Sequence, residues 1–111
     1  MDVDLVYKDL RKIQLIEEET SSLTKIKEGF YSDILALHWN TNEISDEEVP
    51  NVKRIVTQIY FLREKKIILA ALSKVRGGKP DIKNMLDEEK KLFDSIVEIL
   101  IQSRKQFLPG D

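Results

Sequence analysis

The chain has no cysteine and one histidine, His38, in 111 residues. The first absence excludes disulfides, thiolate metal sites and cysteine nucleophiles, and it suits a cytoplasmic protein. The second leaves too few nitrogen ligands for a transition metal, and no carboxylate loop has the spacing of a calcium site. A hydroxyl nucleophile lacks the second base needed to build a triad around it. His38, beside Trp39 on an apolar helix face, reads as packing. Long apolar runs are missing as well. The longest covers only Ile67 to Leu72, against roughly 20 residues for a bilayer crossing. The acidic start MDVDLVYKDL has none of the basic character of a secretory signal. No cofactor, no metal and no membrane partner is expected.

What is present is a mixture of 41% hydrophobic and 34% charged residues, the balance of a soluble helical domain. The length suffices for one domain. Charge is uneven: residues 1–50 hold twelve acidic and five basic side chains, a net of −7, and residues 51–111 hold eight and thirteen, a net of +5. Such halves attract one another within a fold or across an interface, although ordinary solvated helix faces also account for them.

The central stretch is Val52 to Val75. Val52, Ile55, Val56, Ile59 and Leu62 recur at helical spacing. The run Ile67–Leu72 then covers the helix all round, and Tyr60 and Phe61 add aromatic area on other faces, so the segment needs cover on several sides. It is either central in its own domain or shared with another chain. Lys74 and Arg76 suit a helix C-terminus, Gly77 can close it in the left-handed conformation, and Pro80 prevents continuation.

Before it, residues 3–19 predict a helix with a seam of Val3, Val6, Leu10 and Ile13, widened by Leu5 and Ile16. Glu17-Glu18-Glu19 is a poor helix ending and reads as solvated, with the helix either running on or fraying into the loop-forming Thr20-Ser21-Ser22. Residues 23–27 form an ordered connector. A second helix spans about Glu28 to Trp39, with Phe30, Ile34, Leu37 and His38 on one side and Tyr31 and Leu35 beside them. Ser45 and Glu48 have capping-box spacing, and Pro50 fits a first helical turn. After the break, a last helix from about Asn84, its expected N-cap, to Phe107 carries Met85, Leu92, Phe93, Ile96, Leu100 and Phe107 as its stripe. Ile99 and Ile101 lie off that stripe and suggest a second contact face. The expectation is an all-α fold of four to five helices in a compact bundle around one long helix, with residues 1–108 as the helical domain and 109–111 as the start of a linker.

Two clusters invite chemistry. Gly77-Gly78-Lys79 lacks a phosphate loop's pattern, because Ser73 and Pro80 stand where glycine and a hydroxyl residue belong. Lys74, Arg76, Lys79 and Lys83 could neutralise a few phosphates, but no interleaved aromatic offers base stacking. Arg63 and Lys66, three apart, could clamp an anionic substrate, or Arg63 could pair with a carboxylate from the acidic half.

The segments LTKIKEGFYSDILAL (23–37), IYFLREKKIILAALSKVRGG (59–78) and NMLDEEKKLFDSIVEIL (84–100), in this order, resemble subunits of the GINS complex of archaeal and eukaryotic DNA replication. The resemblance covers nearly the whole chain to about Phe107. Such subunits contain a helical A domain and a small β-rich B domain. A chain that begins with helices resembles the archaeal, A-domain-first type related to the Sld/Psf-one lineage. It departs from that type in that no β-rich segment follows Pro109, so the expectation is either a sequence that stops at the linker or a subunit that lacks the B domain. The resemblance implies a non-enzymatic, nucleoid-associated scaffold in homo- or hetero-oligomers with other GINS subunits. Its further partners are the MCM helicase, a RecJ-like protein and primase, with direct DNA contact weak or absent. The expected subunit contact comprises Tyr60, Phe61, Ile68 and Leu72. The alternatives are a helical interaction module unrelated to replication and a small all-helical enzyme acting on an anion.

Overall fold

A computed structural model of the chain describes residues 3–36 and 49–110, with the side chains of 3–6 and 49 outside that description. It contains four helices: α1 (Val3–Glu19), α2 (Phe30–Leu35), α3 (Val49–Val75) and α4 (Asp87–Phe107), with no strand among the described residues. The all-α expectation with one long central helix holds. Leu37, His38, Trp39 and the Ser45–Glu48 pair lie outside the described residues.

The inward residues of α3 are Val52, Ile55, Ile59, Arg63, Ile67 and Ala71, each at most 2% exposed. From Ile55 onward they step by four. Four residues overshoot one helical turn by about 40°, so the stripe winds roughly 160° round the axis by Ala71. One neighbour cannot follow it, and two share it: α3 packs on α1 and on α4. Towards its start, Val52, Ile55 and Ile59 join Leu10, Phe30 and Leu86 in one core. Towards its end, Ile67 and Ala71 join Leu23 and Phe93 in another. The molecule is drawn out along this axis, measuring 61 × 25 × 20 Å with a radius of gyration of 17.3 Å, against about 13 Å for a spherical domain of this length.

The run Ile67–Leu72 is therefore not covered all round by its own chain. Ile67 and Ala71 are sealed, while Ile68 is 39% and Leu69 52% exposed. On α4, Phe93 is buried, but Leu92 and Phe107 are exposed, both against the expected stripe. Leu92 stands about 100° round α4 from Phe93, whereas Phe107 keeps the heptad position of Phe93 and Leu100 but lies in the last turn, past the Arg104 contact with the Val75 carbonyl at the end of α3. Ile99 is exposed too.

The helix ends are local chemistry. Gly77 has φ 92°, its N–H donates to the Lys74 carbonyl at 3.1 Å, and the Gly78 N–H donates to the Ser73 carbonyl at 2.8 Å. This pair of bonds satisfies carbonyls that a helix end leaves open. A side chain at Gly78 would meet Ser73 Oγ and the Ser73 carbonyl, so both glycines are needed. At α4 the expected N-cap is corrected. Leu86 occupies that position, and its N–H donates to Glu89 Oε1 at 2.9 Å, while Asn84 points elsewhere. Asp87, Glu88 and Glu89 do fill the first turn, where negative charge is favoured.

Candidate functional site: a buried ionic clasp beside an open apolar face

Polar residues occupy the inward positions where the two apolar cores meet. Gln14 and Glu17 continue the α1 seam one and two turns after Leu10. Arg63 stands between Ile59 and Ile67 on α3, and Glu89 between Leu86 and Phe93 on α4. Arg63 is 0%, Glu17 1% and Glu89 6% exposed. A buried charge requires partners, and the three helices supply them.

The Arg63 fork meets Glu89 in a bidentate pair, Nε to Oε2 at 2.7 Å and Nη2 to Oε1 at 2.6 Å. Its Nη1 donates to Glu17 Oε2 at 2.5 Å and to the Thr24 carbonyl at 2.7 Å. Its Nη2 also donates to the Asn84 carbonyl at 3.0 Å. A guanidinium has five N–H donors, and all five are used. Lys66 Nζ donates to Glu17 Oε1 at 2.6 Å, the Glu17 carbonyl at 2.8 Å and the Ser22 carbonyl at 2.9 Å. Two cations thus balance two carboxylates. Burial alone disfavours the Arg63 cation, but the hydrogen bonds and charges of Glu89 and then Glu17 outweigh it, and its pKa is raised.

This geometry corrects two expectations. Glu17 is not a solvated helix ending. Lys66 sits at the C-terminus of α1, pairs with the Glu17 carboxylate and binds the carbonyls of Glu17 and Ser22, which removes the unfavourable end charge. Nor do Arg63 and Lys66 form a substrate clamp, because every donor they carry is already bound to the chain itself. The alternative pairing of Arg63 with a carboxylate from the acidic half is the one observed, joined by Glu89 from the basic half. Asn84 serves the same junction: its Nδ2 donates to the Leu23 carbonyl at 2.9 Å. The missed members, Gln14, Glu17 and Glu89, carried one signal. Each stands at an inward helical position where a hydrophobic count skips a beat.

Around the clasp runs an aromatic chain. Phe30, Tyr31, Tyr60 and Phe61 meet edge to face in succession, with ring centroids 5.1, 6.0 and 5.9 Å apart. The Tyr31 hydroxyl is buried without a hydrogen-bond partner. Burial first and the Glu89 charge second push its pKa up. Tyr60 is 42% and Phe61 59% exposed, and a hydrogen bond to Glu64 raises the pKa of Tyr60. A groove of about 390 Å³, lined by Glu18, Gln58, Phe61, Leu62 and Lys65, opens beside them.

Of the expected contact residues, Tyr60, Phe61 and Ile68 are thus exposed and Leu72 is half-buried. Phe61, Ile68 and Leu72 share one side of α3, with Lys65 between them at spacings of four, three and four. Lys74, Arg76, Lys79 and Lys83 are all exposed along the α3–α4 connection, and none forms a salt bridge among the described residues. No group of side chains suited to a metal ion occurs among the described residues, and none of the described helices is long and apolar enough to cross a membrane.

Comparison with known proteins places this architecture. No curated protein and no solved structure gives a significant match. A family model does match, over residues 7–110, and it describes the Psf2/Psf3-like N-terminal domain of GINS complex subunits. That is the family the sequence resembles, and the matching description is of its Psf2/Psf3-like branch. The match spans α1 from Tyr7, the clasp and α4 to its end, so the chain belongs to the family of GINS complex subunits.

Proposed function

We propose that the chain is a non-enzymatic scaffold of DNA replication that assembles with other GINS subunits through the open face of α3. The observation that carries this reading is the band of Tyr60, Phe61, Ile68 and Leu69, left 39–59% exposed on a helix whose opposite side is sealed. Contiguous exposed apolar area marks an interaction surface. Burying what remains open of Phe61, Ile68 and Leu69 contributes about 1–2 kcal/mol apiece. Leu72 completes the stripe, and Lys65 at its centre sets the register of a facing helix, as a polar residue in an apolar seam does. The clasp supports the same reading. It holds α1 and α4 at fixed places on α3 and leaves no spare donor for a substrate.

Within an archaeal replisome, such an assembly would bring together the MCM helicase, a RecJ-like partner and primase in the nucleoid of the cytoplasm. Lys74, Arg76, Lys79 and Lys83 contribute at most a weak, salt-sensitive contact with DNA, since four cations neutralise at most about four phosphates.

Co-expression of the chain with a GINS subunit from the same organism tests the proposal. Phe61→Glu and Ile68→Glu should abolish co-purification while helix content stays unchanged. Persistent assembly of the double variant, or a native chain that stays monomeric beside its partner at tens of micromolar, would remove the α3 face from the mechanism.

A further inference from the structure

We infer that the polar recess between α1 and α3 is a carboxylate-binding site that seats an acidic side chain of a protein partner. The recess is about 300 Å³ and is lined by Tyr7, Arg11, Gln14, Arg54, Ile55 and Gln58. Tyr7, Arg11 and Gln14 lie at i, i+4 and i+7 on one face of α1, and Arg54 and Gln58 at i and i+4 on α3, so the two helices oppose their polar groups across it.

Its two cations have no anion among the lining residues. Neither Arg11 nor Arg54 forms a salt bridge among the described residues, in contrast with Arg63, which has two carboxylates of its own. The recess is also built rather than incidental. Gln14 is 2% exposed, accepts a hydrogen bond from Arg11 Nη1 and donates from Nε2 to Gln58 Oε1. The Gln14–Gln58 amide contact, buried at Gln14 and open at Gln58, engages one N–H of Arg11 and leaves its other N–H groups without a partner among the described residues. A planar oxyanion between two guanidinium groups is the ligand such a pair suits, since charge-assisted bidentate contacts match its geometry.

A carboxylate fits better than the phosphates of a nucleic acid. Two lining cations suit a single planar oxyanion, and the other four lining residues add none of the run of cations that follows a backbone. The recess shares only Gln58 with the groove beside Phe61, so this site and the α3 face can fail separately.

The test is a titration of the full chain with acetyl-Gly-Glu-Gly-amide, followed by the Nε–H resonances of Arg11 and Arg54. Acetyl-Gly-Gln-Gly-amide, inorganic phosphate and a short single-stranded oligonucleotide serve as comparison probes. The expected result is a saturable shift of both resonances by the glutamate peptide, with a dissociation constant on the order of millimolar, and none by the glutamine peptide. Arg54→Gln should weaken it about tenfold with helix content unchanged. Equal response to the glutamine peptide, unaltered affinity in Arg54→Gln, or tighter binding of phosphate or oligonucleotide than of the glutamate peptide would each overturn the assignment.

Discussion

Replacing Arg63 with Met tests the clasp most directly. The substitution fills most of the arginine's apolar volume and deletes its five hydrogen bonds, so the loss reflects charge and not a cavity. Glu17 keeps Lys66 Nζ at 2.6 Å, whereas Glu89 keeps only the Leu86 N–H at 2.9 Å. The carbonyls of Thr24 and Asn84 lose their donors as well. Leaving one buried partner of an ion pair uncompensated costs about 3–5 kcal/mol, a large part of the ~5–15 kcal/mol that holds a domain together. With a urea m-value of about 1.5 kcal/mol/M, the midpoint should fall by roughly 2–3 M. Adding Glu89→Gln removes the stranded charge and keeps an oxygen for the Leu86 N–H. The pair Arg63→Met/Glu89→Gln should therefore be more stable than the two single losses summed, by about 1–3 kcal/mol. Urea unfolding followed by circular dichroism on wild type, both single variants and the double completes the cycle. A loss under about 1 kcal/mol for Arg63→Met, or strict additivity in the double, would refute the account of the clasp as one coupled unit.

Tyr31→Phe should raise stability by up to about 1 kcal/mol, because the hydroxyl it removes is buried and unpartnered. The folded-state pKa of Tyr31 is raised, so the stability tied to its neutral phenol is fully present below the ordinary tyrosine value of about pH 10 and is lost as pH climbs above it. The gain from Tyr31→Phe should accordingly widen in urea midpoints measured above pH 10, and a gain that shrinks there would contradict the burial argument. Gly77→Ala should cost about 1–2 kcal/mol for the left-handed backbone alone, since nothing lies within 4 Å of the added methyl. Gly77→Asn should cost less, and thermal melts that rank Ala above Asn would show that the turn can rearrange.

The helix boundaries follow from neighbouring residues. Gly77 and Gly78 close α3, and Asp87, Glu88 and Glu89 open α4, because each of these two ends is set by groups within a few positions of it, whereas the end of α1 is completed by Lys66 from α3. Three sequence segments in order were also enough for the family. Side-chain placement was less legible where hydrophobicity and position disagreed. Glu17 reads as a surface residue because an isolated carboxylate belongs in water. It is buried because Arg63 and Lys66, 46 and 49 residues away, arrive from another helix. Asn84 has the look of a helix cap, but the Leu23 carbonyl captures its amide and Glu89 reaches back to the Leu86 N–H in its place.

The sequence by itself determined that the chain is helical, where α3 ends, and which family it joins. It left undecided which side of the apolar run on α3 stays uncovered and which charges turn inward. Those outcomes depend on the winding of one inward stripe past two partner helices, and on charges whose burial is tolerable only once the opposite sign has been brought to within hydrogen-bonding distance.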